Sequence, residues 1–342
     1  MARGGDLTIV VESHVPYVAE ALQPYAAVRR VPPQDIDGAI VADADALVVR
    51  TRTRCDAALL SGSRCSMVVT ATIGTDHIDK AYCAAHSIAV ASAPGCNAPA
   101  VAQYVFASLA RIVECQLAGL TIGVVGVGAV GSIVARWAER LGMRVLLCDP
   151  PRCRAEGPGS RRWASLGEVL AAADVITLHT PLTADGCDAT YHLIDAAAVA
   201  AMQRKPIIIN AARGAVVDTD AIVAGLDDGR IGSAVIDCWE GEPRISAALL
   251  ARAAIATPHI AGYSIQGKMR ASQVALDALA EHFSLPRMTI DANTTLLHST
   301  PQAITIEQAR ASYDPMADTA ALRRDPSAFE CLRNNYALRL EI

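Results

Sequence analysis

Aromatic residues are scarce, at 4% of 342 residues. The 52% of hydrophobic residues are therefore mostly Ala, Val, Ile and Leu. That composition suits parallel sheets flanked by helices, buried on both faces. No run of about 18 apolar residues occurs, so no membrane span is expected. The amino-terminal stretch MARGGDLTIV lacks the apolar core and cleavage site of a secretory signal, which predicts a cytoplasmic protein. Basic runs are missing too, and with a formal net charge of −5 a nucleic-acid partner is not expected. Ten cysteines are present, but no CxxC pair and no Cys/His cluster with zinc spacing. They read as reduced thiols in apolar surroundings, and no metal is expected. Cys96, in a glycine-bearing loop, reads as a packing residue rather than a nucleophile.

The stretch Thr121 to Asp149, TIGVVGVGAVGSIVARWAERLGMRVLLCD, organises the chain. Ile122 to Val125 is a short apolar run suited to a buried strand. Gly126, Gly128 and Gly131 supply GxGxxG. The following helix, Ala129 to Leu141, carries Val130, Ile133, Val134, Trp137 and Leu141 on one face. Gly126 allows a tight turn, Gly128 lets backbone approach a pyrophosphate, and Gly131 lets helix and strand pack closely. The N–H groups of Ala129 and Val130 open the helix, where unpaired donors and the helix dipole favour an anion. A second strand, Val145 to Cys148, ends in Asp149. Its carboxylate can bond both ribose hydroxyls of an adenosine and would repel a 2′-phosphate, so NAD is favoured over NADP. Arg152 could soften that preference, although an arginine just past this turn is often only solvated. GxGxxG alone is a weak signal. The strand before it, the helix after it and the acid at the next strand end make it a dinucleotide site.

The chain before this stretch alternates strand and helix. Strands are expected at Leu7 to Val11, Ala46 to Val49, Met67 to Thr70 and Ile88 to Ala91. Helices are expected at Pro16 to Leu22, near Ala57 to Leu60, and up to Ala85. This predicts a small parallel, flavodoxin-like α/β domain with its polar loops, Arg50–Arg54 and Ala71–Asp76, at carboxyl ends of strands. Asn97 is a plausible cap for a long helix, Ala98 to Cys115, leading into the cofactor domain. Beyond Asp149, Pro150 to Gly159 reads as a surface loop. Further strands at Val175 to Leu178, Ile207 to Asn210, Ala234 to Ile236 and Ile255-Ala256 each end in a polar loop. Helices are expected at Leu166 to Ala172, from Val217-Asp218 to about Leu226, and from about Gln266 to Phe283. The predicted organisation is a substrate-binding domain (1–94 and 264–285), a Rossmann-type, doubly wound NAD domain (95–263) and a short C-terminal α+β module (286–342) with a strand at Thr294 to Leu297.

Hydride transfer from an alcohol carbon leaves a proton to remove, and histidine is the usual base near neutral pH. Of the eight histidines His259 is the best placed, after Pro258 in the last loop of the NAD domain. Glu242 could fix its tautomer, and Arg213, at another strand end, could grip a substrate carboxylate with a two-pronged bond. Residues of these types at loop starts also serve as caps or surface ion pairs. His77 and His179 lie near strand ends and could line the cleft, with packing as the plainer role. His14, His86, His192, His282 and His298 show no partner pattern.

The motifs GVGAVG (126–131), HTPL (179–182), NAARGAVVD (210–218), DCWEGEP (237–243) and TPHIAGY (257–263) resemble the D-isomer-specific 2-hydroxyacid dehydrogenases. The resemblance implies that Arg213, Glu242 and His259 are the catalytic set. It also implies that Thr180, Ala211, Ala212, Asp237, Gly262 and Tyr263 border the cofactor.

ATIGTDHID (71–79), APGCNAPAVAQYVF (93–106), LLCDPPR (146–152), HIAGYSIQGK (259–268), Phe329 and LRNNYALR (332–339) resemble a narrower subfamily. That likeness implies oxidation of 4-phospho-D-erythronate at C2 to 3-hydroxy-2-oxo-4-phosphobutanoate, on the way to pyridoxal phosphate. It places substrate contacts at Thr51 and Thr72, with Arg50, Arg52 and Arg54 as partners for the phosphate. In a regular extended segment, Arg50 and Arg54 would share a side. Backbone N–H groups near Gly74 are expected to help Arg213 hold the carboxylate. The subfamily's C-terminal module forms a homodimer. The chain ends soon after LRNNYALR, which predicts a shortened module that leaves the catalytic trio untouched. The alternatives are a dehydrogenase of 3-phosphoglycerate or an unphosphorylated 2-hydroxy acid, and a non-catalytic protein that senses NAD(H).

Overall fold

The computed structural model describes residues 7–290 and 300–342, apart from residues 115, 158, 160 and 161. It divides into two compact units, Met1–Asn97 with Ser264–Ser299, and Ala98–Tyr263 with Thr300–Ile342.

The first unit is built on five parallel strands: β1 (Thr8–Glu12), β2 (Ala27–Val31), β3 (Ala46–Val49), β4 (Met67–Thr70) and β5 (Ala89–Ala91). Their order, β2-β1-β3-β4-β5, is that of a flavodoxin-like sheet. Successive strand residues point to opposite faces. Ile9, Val11, Ala46, Val48 and Val69 therefore pack with Ala271, Ala275, Leu276 and Leu279 of the helix Ile265–Phe283. Val10, Leu47, Val49 and Val68 pack on the other face with Leu59, Leu60 and Cys83. Cys96 is 7% exposed within the first of these clusters, as a packing residue should be. β2 carries no strand signal in the sequence. It is an edge strand whose Arg29 and Arg30 reach outward to Asp43 and Glu20, so it lacks a buried pattern.

The second unit carries six parallel strands: β6 (Thr121–Val125), β7 (Arg144–Cys148), β8 (Val175–Leu178), β9 (Ile207–Asn210), β10 (Ser233–Ile236) and β11 (Ile255–Ala256). The order β11-β10-β9-β8-β6-β7 reverses at β6, so a switch point falls between β6 and β8, where ligands bind in open α/β sheets. The helix Ala98–Ile112 is buried from Ala98 to Ala110, packed among the sheet, the helix Ala129–Arg140 and the helix Ile306–Ser312. Asn97 does not cap it, because its buried Oδ1 accepts no hydrogen bond.

Two expectations change. Pro150–Glu156 is a helix rather than a loop, because Asp149 caps it and both prolines occupy its first turn, where no backbone donor is lost. Residues 300–342 do not stand apart as a module but pack within the second unit, as the helices Ile306–Ser312, Pro315–Arg324 and Phe329–Asn334. The strand expected at Thr294 to Leu297 lies outside the described residues. Among the described residues no helix is long and apolar enough to cross a membrane.

Candidate active site

The glycine turn follows β6 at the switch point. Gly126 has φ +87°, and a Cβ there would lie 2.7 Å from the carbonyl group of His179 and 2.8 Å from the Thr180 nitrogen. A Cβ on Gly131 would stand 2.0 Å from the Gly126 oxygen. Around Gly128 there is open space, and a Cβ there would meet nothing within 4 Å. Gly128 also starts the helix without a side-chain cap, so the N–H groups of Ala129 and Val130 have no intrahelical acceptor. At the end of β8 the Thr180 hydroxyl and His179 Nδ1 are buried without a hydrogen-bond partner. An open cradle, an uncapped helix start and an orphaned hydroxyl on the facing strand end fit a dinucleotide.

Asp149, at the end of β7, accepts from the N–H groups of Val127 (2.8 Å) and Arg152 (3.0 Å). The Arg152 guanidinium donates to the Val127 carbonyl, to Ser132 Oγ and to Glu156. It is a brace for the turn, a role its position in sequence did not reveal.

The catalytic loops leave β9, β10 and β11. Asn210, fully buried, donates from Nδ2 to the carbonyls of Arg213 (2.9 Å), Gly214 (3.4 Å) and Cys238 (3.4 Å). A Cβ on Gly214 would lie 2.0 Å from the Trp239 carbonyl, so the loop bearing Arg213 runs backbone to backbone against the loop bearing Glu242. Trp239 donates from Nε1 to the Thr257 carbonyl at 2.9 Å and ties that second loop to the third. His259 Nδ1 and Glu242 Oε1 are 2.6 Å apart, each side chain 25% exposed. Burial works to raise Glu242, but the bond to His259, its charge, the Trp239 N–H and the Arg333 guanidinium outweigh it and hold the carboxyl below its ordinary range. An ionised Glu242 accepts from Nδ1–H, which leaves Nε2 as the proton acceptor.

His259 itself has φ +56°, a left-handed backbone that costs a non-glycine residue on the order of 1 kcal/mol. Asp237, 1% exposed, holds it there. Its carboxylate accepts from Thr257 Oγ1 (2.6 Å), Ile260 N (2.8 Å) and Ala261 N (2.9 Å). Burial pushes the Asp237 carboxyl up, against the counteracting pull of His259 and these donors. The carboxylate of Asp237, expected at the cofactor, is thus committed to the catalytic loop. Ala212 is committed in the same way, its N–H bonded to Asn210 Oδ1 at 3.2 Å and its carbonyl to Arg213 Nη1 at 2.8 Å. Ala211 and Gly262 are half-buried, and Tyr263 stands edge-on to Tyr336 with ring centroids 6.2 Å apart.

Two features escaped the sequence. Arg333, in the tail, lies beside Glu242 and Tyr263, so the tail does reach the catalytic group. His192 has a carboxylate partner after all, Glu240 at 2.7 Å. Forty-eight residues separate that pair, and no local spacing announces it. The remaining histidines are no rivals to His259. Burial drives His179 down to about 3, so it stays neutral, and it lowers His77 as well. His14 is 3.8 Å from Glu12, His86 bonds the Tyr82 carbonyl and His282 bonds Ser66. His298 lies outside the described residues.

The expected substrate contacts belong to the first unit. Glu12, at the end of β1, accepts from Arg50 N (2.8 Å) and Thr53 Oγ1 (3.1 Å). This folds residues 51–53 into a turn, so the extended segment that would align Arg50 with Arg54 does not form. Arg54 instead pairs with Asp56 at 2.7 Å, its side chain 80% exposed. Thr51 is exposed on the turn, whereas Thr72 Oγ1 bonds Thr70 Oγ1 (2.7 Å) and the Gly74 carbonyl (3.2 Å). Lys268, on the first turns of the helix Ile265–Phe283, is lowered to about 8 by burial and by the nearby charge of Arg50.

Residues 100–261 match the family model described as D-isomer specific 2-hydroxyacid dehydrogenase, NAD binding domain. A protein of Bacteroides fragilis named erythronate-4-phosphate dehydrogenase is 43% identical over 98% of this chain and 97% of its own length. One of the same name from Chromohalobacter salexigens is 42% identical over 98% of this chain and 92% of its own. Among solved structures, D-lactate dehydrogenase from Aquifex aeolicus, complexed with NAD and lactic acid, superposes with a TM-score of 0.66 at 26% identity, covering 81% of this chain and 95% of that one.

Proposed function

The chain belongs to the D-isomer-specific 2-hydroxyacid dehydrogenase family, and we propose that within it the enzyme oxidises 4-phospho-D-erythronate at C2 to 3-hydroxy-2-oxo-4-phosphobutanoate, on the way to pyridoxal 5′-phosphate. The observation that carries the reading is the 2.6 Å His259–Glu242 pair, on a loop abutting that of Arg213, in the unit that holds the glycine turn. NAD supplies the hydride acceptor when bound. Gly126, Gly128, Gly131 and the N–H groups of Ala129 and Val130 would hold its pyrophosphate, and Asp149 its adenosine ribose. Thr180, Ala211, Gly262 and Tyr263 would line the rest.

His259 Nε2 takes the proton of the C2 hydroxyl as the C2–H leaves with its electron pair and the C–O bond becomes a carbonyl. The ionised Glu242 keeps the ring oriented and stabilises the imidazolium that forms. Arg213 holds the substrate carboxylate. Thr51 and Thr72 contact the substrate chain. The reading carries a cytoplasmic homodimer with it, and a single-chain mass in light scattering would remove the dimer.

For the phosphate, Arg50 and Lys268 are the better pair. Burial and the charge of Arg50 both act on Lys268, so the two cations lie near each other in the unit that carries Thr51 and Thr72, and together they would take up the charge of a phosphate. Lys268 at about 8 is charged below that pH and loses its charge above it. The expected result is that kcat/KM for 4-phosphoerythronate falls by about tenfold as pH rises through 8, the size of one charged hydrogen bond. Unphosphorylated erythronate should lack this limb, and Lys268→Gln should abolish it. An alkaline limb common to both acids, or retained in Lys268→Gln, contradicts the assignment.

A further inference from the structure

The loop that presents His259 is gripped from a second side by the tail. Arg339 is 8% exposed, and its guanidinium donates to the carbonyls of Ile260 (3.0 Å) and Ala261. It also bonds the Ala100 carbonyl (3.0 Å), Gln103 Oε1 (3.3 Å) and Tyr336 Oη (3.2 Å), and lies 4.7 Å from the centroid of the Tyr313 ring. Asp237 takes the N–H groups of Ile260 and Ala261. The two residues after His259, Ile260 and Ala261, therefore each give their N–H to Asp237 and their carbonyl to Arg339, buried ionic side chains of opposite sign. A buried guanidinium is costly unless its donors are used, and an apolar side chain would fill the same space at lower cost. A left-handed residue with a reactive side chain needs its following backbone fixed if the side chain is to keep one direction.

We propose that Arg339 is a positioning residue for His259, acting through the Ile260 and Ala261 carbonyls as the counterpart of Asp237. It rests on the dehydrogenase reading only for its kinetic readout. It extends catalytic control to a segment of LRNNYALR that no loop spacing connects to the site.

The test compares full-length Arg339→Lys and Arg339→Met with wild type, on whichever 2-hydroxy acid the wild type oxidises. Misplacing a proton acceptor by an ångström costs about 100-fold. The expected outcome is a kcat lower by about that factor in Arg339→Met, with KM and dinucleotide affinity within about threefold of wild type. Arg339→Lys, which keeps the charge but loses the fork, should recover part of the loss. A second readout needs no turnover. The downfield proton resonance of the His259–Glu242 bond, identified by its absence in His259→Gln, should broaden or vanish in Arg339→Met. Unchanged kcat and resonance in folded variants would overturn the proposal. So would a defect confined to thermal stability, or a failure of both variants to fold. Absence of turnover in wild type with the resonance still sensitive to Arg339 would count against the dehydrogenase reading alone.

Discussion

His259→Gln yields a folded protein that binds dinucleotide with nearly wild-type affinity and oxidises its substrate at least about a thousandfold more slowly. The glutamine amide can keep a hydrogen bond to Glu242, so the 2.6 Å contact is replaced rather than left as an uncompensated buried carboxylate. What is lost is the proton acceptor, because an amide does not take up a proton at neutral pH. Neither His179 nor His77 can substitute, since burial holds both toward the neutral form and His179 Nε2 is bonded to Thr177. Initial rates of NADH formation and a dinucleotide titration measure both halves. Turnover within tenfold of wild type would remove His259 from the chemistry.

Gly131→Ala damages dinucleotide binding and stability together, whereas Gly128→Ala damages binding alone. The new methyl group of Gly131→Ala must avoid a Gly126 oxygen 2.0 Å away and a Val124 methyl at 3.1 Å. The helix Ala129–Arg140 has to lift from β6, which costs about 1–3 kcal/mol and spoils the turn. At Gly128 a methyl group meets no protein atom within 4 Å, so the fold accepts it, but it stands in the space left for a pyrophosphate. Thermal denaturation with calorimetric titration of NAD separates the two. A lowered melting temperature in Gly128→Ala, or unchanged NAD affinity in either variant, contradicts this division of labour.

These glycines, with Asp149 and the His259–Glu242 pair, were legible in the sequence because each belongs to a short motif whose spacing reflects local backbone geometry. The central strands were legible for a related reason: ALVV and MVVT are apolar throughout because both faces of the sheet are covered. The edge strand β2 has no such pattern, and the prolines of Pro150–Glu156 look like breakers although the first helical turn tolerates them. The helices Ala196–Ala201 and Ala247–Arg252 also went unread, being short and alanine-rich. The supports of the site were hidden for a different reason. Asn210 works through carbonyls on two loops, and Arg339 works through a loop 78 residues away in one contact and a helix 239 away in another. Contacts of that kind are made by the tertiary fold, and no periodicity in the chain encodes them.

The most direct test of the central reading is one set of steady-state measurements on purified protein with NAD. It compares 4-phospho-D-erythronate with 3-phosphoglycerate, unphosphorylated D-erythronate and D-lactate. The expected result is the highest kcat/KM for 4-phospho-D-erythronate, by about tenfold or more over erythronate, the size of one charged contact to the phosphate. Equal turnover of erythronate, a preference for 3-phosphoglycerate, or NAD binding with no turnover of any of the four acids would contradict it.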